Sequence, residues 1–198
     1  MVVDMRVSIS DRAVADALER LRLALPLSGD MSPAMRSMAR VLKTGAQLRF
    51  RSMHAPDGTP WQPSRRASQE GGQTLSLTRR LRNSITSAFD RRSASVGTNV
   101  AYAAIHQFGG VIRAKKGPFL AIPVTPQAKA AGSPRNMLGL SVWQTLKGQY
   151  VMGKEGVVHF LLRAKVTMPE RPFLGASSED RTELLRVLQA HYDGIWKR

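Results

Sequence analysis

Gly109-Gly110 closes a short stretch in which the apolar residues Tyr102, Ile105 and Phe108 recur at every third position. That spacing lines side chains along one side of a helical turn. Two successive glycines give the backbone the freedom that a sharp exit from a helix into a following strand requires. Just upstream, Ser93 to Thr98 reads as a strand. The pattern predicts strand, helical turn, reversal and strand, with Tyr102, Ile105 and Phe108 on the buried face of the turn. Truncating a fully buried ring costs about 3–5 kcal/mol, which sets the expectation for Phe108→Ala.

Such a fold must be held by packing or by oligomerisation, because the chain has no cysteine and so no disulfide. At 198 residues and 42% hydrophobic it is long enough to bury a core. It contains no run of about 18 uncharged apolar residues, so no membrane span is expected. Val2-Val3 is followed by Asp4 and Arg6, which is not the pattern of a secretory leader. The formal charge is +16 and unevenly spread. Residues 1–30 hold 4 Lys/Arg against 5 Asp/Glu, residues 31–100 hold 12 against 3, and residues 101–198 hold 14 against 6. A basic excess of this size implies a polyanionic neighbour or an acidic protein partner.

Met5 to Ile9 alternates as a strand, and Ser10 with Asp11 offers a cap for an amphipathic helix over 11–25. Ser32-Pro33 signals a second helix, about 33–53, with Met35, Met38, Leu42, Ala46 and Phe50 on one face. Residues 54–74 read as an irregular loop around Pro56-Asp57-Gly58-Thr59-Pro60-Trp61. Thr78 is expected to cap a short helix with Leu81 and Ile85 inward. Val111–Ala114 and Phe119–Val124 suggest a hairpin around Lys115-Lys116-Gly117. Residues 125–148 are broken by Pro126, Gly132, Pro134 and Gly139. Tyr150–Met152 and Val157–Val166 suggest a second strand pair turning at Gly153–Gly156. Met168 to Leu174 is extended, and a last helix begins at Ser177-Ser178, with Leu184, Leu185, Leu188, His191 and Tyr192 on its periodic face. The expected fold is α+β: two N-terminal helices and a C-terminal helix packed on a small antiparallel sheet, with a β-hairpin elaboration. It is read as one domain over 1–198, with 111–168 a β-rich elaboration.

No catalytic constellation assembles from these elements. His54, His106, His159 and His191 fall in four different segments without metal-ligand spacing, and a lone His beside an apolar run is more often a hydrogen-bonded structural residue. Asp57 belongs to a turn. There is no phosphate-cradling G-x-x-x-x-G-K-[ST] loop and no G-x-S-x-G elbow. The expectation is a non-enzyme, with no catalytic residue, metal or cofactor. Trp61, Trp143 and Trp196 are scattered and suit packing better than a ligand box. Arg79, Arg80 and Arg82, with Arg91 and Arg92, are candidates for contact with phosphates or with an acidic partner, against the alternative of a solvated surface. No recognition helix or aromatic RNA-binding strand pair is present, so sequence-specific DNA reading is not expected.

The segment Tyr102-Ala103-Ala104-Ile105-His106-Gln107-Phe108-Gly109-Gly110 resembles the "Y-A-x-I-H-Q-x-G-G" stretch of the phage virion morphogenesis, or tail completion, family of Mu-like contractile-tailed phages. Four further blocks follow the family's order. Arg49-Phe50 with Pro56-Asp57-Gly58-Thr59-Pro60-Trp61 is similar to its "R-F … P-D-G-x-x-W" block. Thr78 to Ile85 is similar to "T-G-x-L-x-x-S-I", with Arg79 in place of the glycine. Ala121–Lys129 and Ser133–Arg135 resemble an insertion of Mu-type members, and Met168 to Gly175, carrying Arg171, Pro172 and Phe173, resembles "P-x-R-P-F-L". The likeness spans residues 32 to 190. It implies a structural late protein of the virion that completes the tail and joins it to the head, as a ring-forming homo-oligomer at the head–tail junction. Its implied partners are other phage tail or neck proteins, with nonspecific DNA contact as a possibility and no membrane. It implies an assembly role for Tyr102, Ile105, His106, Gln107, Phe108, Gly109, Gly110, Arg171, Pro172 and Phe173. Lys115–Val124 and Met168–Leu174 are expected to add strands to a neighbour's sheet. The implied location is the virion, at the head–tail junction or the tail end, and the host cytoplasm during assembly; the alternatives are a transient assembly factor absent from the mature particle and a nonspecific DNA-binding protein.

Overall fold

The computed structural model describes residues 5–7, 30–115, 117–145 and 148–196. The helix expected over 11–25 lies outside these residues, as does the end of the strand expected at Met5 to Ile9. The described chain is α+β and divides into two compact units, residues 1–109 with 169–198, and residues 110–168.

The first unit is organised by α1 (Ser32–Ser52), which begins where Ser32-Pro33 predicts. Asp30 accepts from the Ser32 amide at 3.0 Å, and Met53 ends the helix in the left-handed conformation, its amide donating to Arg49 O at 2.7 Å. The face carrying Met35, Met38, Leu42, Ala46 and Phe50 is buried. It packs on a three-stranded antiparallel sheet of order β1-β3-β2: β1 (Met5–Val7), β2 (Ile85–Phe89) and β3 (Ala94–Thr98). The C-terminal helix, α6 (Ser178–Trp196), also packs on α1, burying Leu184 and Leu188. Ser177 caps it reciprocally. Its hydroxyl accepts the Asp180 amide at 3.2 Å, and the Asp180 carboxylate accepts the Ser177 amide at 3.0 Å. Leu185, expected on the inner face, is exposed.

Between α1 and the sheet, residues 54–74 are less irregular than expected. They hold α2 (Arg65–Glu70), whose Ser64 hydroxyl accepts the Ala67 amide at 3.2 Å. Thr78 is not the cap of the following helix, α3 (Arg80–Asn83). Arg79 occupies that position with φ 55°, in the left-handed region that is costly to L residues. Leu81 and Ile85 are both inward, but Ile85 opens β2 rather than continuing the helix. That strand was hidden because its residues continue the helical spacing of α3. Asp90 then turns the hairpin, accepting from the amides of Arg92 and Ser93 at 2.7 and 2.8 Å.

In the second unit, β4 (Gly110–Arg113) does not pair with β5 (Leu120–Pro123) as a hairpin. β4 pairs antiparallel with β9 (Lys165–Met168), and β5 joins a four-stranded antiparallel sheet of order β5-β8-β7-β6. Its other strands are β6 (Leu140–Thr145), β7 (Gly148–Gly153) and β8 (Val158–Arg163). The expected second pair of strands is thus present, split at Ala164 between β8 and β9. A short helix α5 (Pro126–Ala131), capped by Thr125, places Ala128 against Val151 and Phe160.

Candidate functional site

Chemistry in the first unit converges on an extended strap, residues 171–174, laid over the helices. Every part of it is held by a side chain or backbone group from elsewhere. The Arg171 amide donates to His106 O at 2.7 Å, and its Nε donates to Gln62 O at 2.8 Å. Trp61 Nε1 donates to Pro172 O at 3.0 Å. Gln107 serves as a clamp: its Oε1 accepts the amides of Phe173 and Leu174, and its Nε2 donates to Leu174 O, each at 3.0 Å. Arg49 Nη1 donates to Phe173 O at 3.3 Å, while its Nη2 forms a buried ion pair with Asp180. Phe173 is fully buried against Phe50, ring centroids 5.3 Å apart, and Phe50 meets Trp61 edge-on at 5.5 Å.

α4 (Ala103–Phe108) supplies the Gln107 clamp. This overturns the expectation for its faces. Ala103 and Gln107 point inward, whereas Tyr102 is 41% and Phe108 61% exposed, and Ile105 is half-buried. A helix of six residues has room for one inward face. The strap's amides and carbonyls demand a polar partner there, so the glutamine wins that face over the aromatics. The reversal after it is as expected: Gly109 and Gly110 have φ of 65° and 136°. Residues 171–174 are held by this core and offer no free strand, and Met168, in β9, pairs with Gly110; β5 pairs only with β8 and, among the described residues, stands at an outer edge of its sheet.

Helix α1 carries a second close approach. A Cβ on Gly45 would overlap the Asp180 carboxyl group, so the absence of a side chain at mid-helix admits the ion pair with Arg49. Sequence reasoning missed Arg49, Gln107 and Asp180 as partners. A glycine interrupting an otherwise good helical face was the available signal.

The histidines remain separate. His159 bridges Thr125 Oγ1 at 2.9 Å and Glu155 Oε1 at 2.7 Å, and its hydrogen bond lowers the pKa of the Glu155 carboxyl. His54 Nδ1 lies 2.6 Å from Ser52 O. His106 Nδ1 is buried without a hydrogen-bond partner, and burial, aided by the Arg171 charge, pushes its pKa down. Among the described residues no three His, Asp or Glu side chains converge as metal ligands, and no helix is long and apolar enough to cross a membrane. Trp61 is buried, while Trp143 is 54% exposed.

The arginine clusters lie at the surface. Arg79 and Arg80 flank the start of α3, Arg82 is half-buried on it, and Arg91 and Arg92 sit in the turn after β2. The structure does not merge them, because β2 intervenes and its five residues span roughly 17 Å. The arrangement is therefore a satisfied, buried scaffold with basic and aromatic groups displayed on short elements outside it.

No solved structure matches the chain. A relative, "Mu-like prophage FluMu G protein 2" of Haemophilus influenzae (strain ATCC 51907 / DSM 11121 / KW20 / Rd), is 37% identical over 113 residues, covering 57% of this chain and 74% of the relative. Residues 9–193 match the phage virion morphogenesis family, and the chain belongs to that family as a structural, non-enzymatic phage morphogenesis protein.

Proposed function

We propose that this protein completes the phage tail and takes part in joining it to the head, as a ring-forming component of the tail's head-proximal end. The observation that carries this reading is the family match over residues 9–193. The geometry supports it. The motif residues Gln107, Arg171 and Phe173 build the scaffold, which leaves Tyr102 and Phe108 of the same motifs exposed for contact with a neighbouring subunit. Heterologous contacts of this kind close into a ring when the rotation between copies closes. The exposed Arg79, Arg80, Arg91 and Arg92 suit an acidic surface on an adjoining tail or neck protein, since short surface elements commonly carry partner contacts. Deleting the gene should leave filled heads and separate tails that fail to join, seen by electron microscopy of lysates. Normal infectious particles from the deletion strain overturn the reading. Presence of the chain in purified particles separates a resident component from a factor that leaves before maturation. Reversing Arg80 and Arg82 to Glu separates the partner contact from a DNA contact: failed joining by a folded variant supports the protein interface, and joined particles that retain DNA poorly support phosphate contact.

A further inference from the structure

The four-stranded sheet ends in an edge without the usual protections. β6 reads Leu140-Ser141-Val142-Trp143-Gln144-Thr145, with no proline and no charged residue, the two features that most often blunt an exposed strand. Among the described residues β6 pairs only with β7, so alternate backbone N–H and C=O groups point outward. Val142 is 67% and Trp143 54% exposed. Successive strand residues point to opposite faces, so both faces of the edge offer an apolar side chain. Leu138, just before the strand, is 99% exposed.

Charge gives the edge a direction. Residues 110–168 contain nine Lys/Arg and a single acidic residue, Glu155, whose carboxylate is engaged by His159. Two of those cations lie toward the ends of β6, one beside its start and the other over the paired strand β7 at its far end. The Lys154 side chain comes within 4.0 Å of where a Cβ on Gly139 would sit, beside the start of the strand. The Arg163 guanidinium lies against Gly148, which pairs in register with Thr145 at the strand's other end.

We propose that the β6 edge takes up an extended, acid-flanked segment of another assembly protein as an added strand, with carboxylates near its two ends meeting Lys154 and Arg163. This rests on the assembly reading above and names the kind of partner it requires. Six strand residues span about 20 Å, which sets the separation of the acidic groups at five to six residues. Outward backbone groups supply hydrogen bonds, and Val142 and Trp143 hold alternate apolar side chains of the incoming strand. A second copy of this chain brings like charge to the same edge, which opposes association. Duplex DNA matches the cations but leaves Val142, Leu138 and the outward amides without a partner.

The test titrates the full-length protein with acetyl-Glu-Val-Thr-Val-Thr-Val-Glu-amide and with the same peptide ended by Lys, followed by calorimetry and by hydrogen exchange at residues 140–145. The Glu-ended peptide should bind, slow exchange in β6 and outcompete the Lys-ended one. Val142→Lys, at an exposed site, should weaken binding about tenfold through lost apolar contact. Lys154→Glu should weaken it about threefold and narrow the preference between the two peptides. No binding at millimolar peptide, or binding that Val142→Lys leaves unchanged, overturns the proposal. So does concentration-dependent self-association that Val142→Lys abolishes, which would make a second copy the occupant. Displacement of the peptide by a 20-base-pair duplex also overturns it. If the peptide binds as expected but the deletion strain yields normal particles, the assembly reading falls and the edge site stands. If joining fails in the deletion strain but the peptide does not bind, only the edge site falls.

Discussion

The two units of this molecule are stabilised by different means. The first buries Phe50, Trp61, Ile85, Phe173, Leu174, Leu184 and Leu188 in one continuous cluster, and it ties the strap to that cluster with a buried ion pair and a glutamine clamp. Among the described residues, the second unit has as its apolar core Ala128, Val151 and Phe160, with Ala121, Met137, Leu140 and Leu162 half-covered around them. It also differs in charge, nine Lys/Arg against one acidic residue, where the first unit holds 21 against 13. A small core covers little of the entropy of ordering a chain, so the second unit depends more heavily on its strand ladders.

Two substitutions should separate the units most sharply. Asp180→Asn leaves the Arg49 guanidinium buried without its counter-charge and should cost about 3–5 kcal/mol, seen as an early unfolding transition of the first unit in urea. Phe160→Ala should also cost about 3–5 kcal/mol, but hydrogen exchange should show protection lost within residues 120–163 while α1 and α6 keep theirs. Loss spread over both units would erase the contrast.

Gly45→Ala tests the first unit's tight fit. In an ordinary helix interior this change stabilises by about 1 kcal/mol. Here the new methyl meets a carboxylate already fixed by Arg49, and a loss of about 1–3 kcal/mol is expected in the thermal midpoint. A stabilised variant would show that the carboxylate can move aside.

Acid should act on the first unit through His106. Its folded-state pKa is lowered, chiefly by burial, so the unfolded chain takes up the proton first as pH falls through about 6.5. Stability is therefore full above that value and declines below it. His106→Gln should flatten the decline in urea midpoint between pH 7.5 and 5.5; an unchanged slope would assign the decline to other groups.

Phe108→Ala carries the smallest expected effect on folding, within about 0.5 kcal/mol of the parent, because the ring is exposed. A folded variant whose particles assemble normally would remove Phe108 from the subunit contact.

Much of the first unit was legible in sequence. The long stripe from Met35 to Phe50, the helix start at Ser177-Ser178 and the double-glycine reversal are local signals, and each appears where the sequence puts it. Strand partners were not legible. Val111–Ala114 and Phe119–Val124 looked like a hairpin because they are neighbours in sequence, yet each pairs with a strand about 55 or 40 residues further on. The face of α4 failed for a related reason. Periodicity sees that Tyr102, Ile105 and Phe108 are apolar, but it cannot see that a strap distant in sequence needs the amide of Gln107. Arg49 and Asp180 were invisible as a pair because they are 131 positions apart.

The pairing of β4 with β9 has a genetic corollary. Gly110 stands opposite Met168, so the chain leaves the first unit and re-enters it through neighbouring points, with Cα atoms about 5 Å apart. An inserted module with adjoining ends can be removed, replaced or acquired by a single in-frame exchange, and the host fold closes over the junction with a few linking residues. Exchange of residues 110–168 as a block would therefore carry the basic β6 edge with it and leave in place the residues that bury the first unit's core.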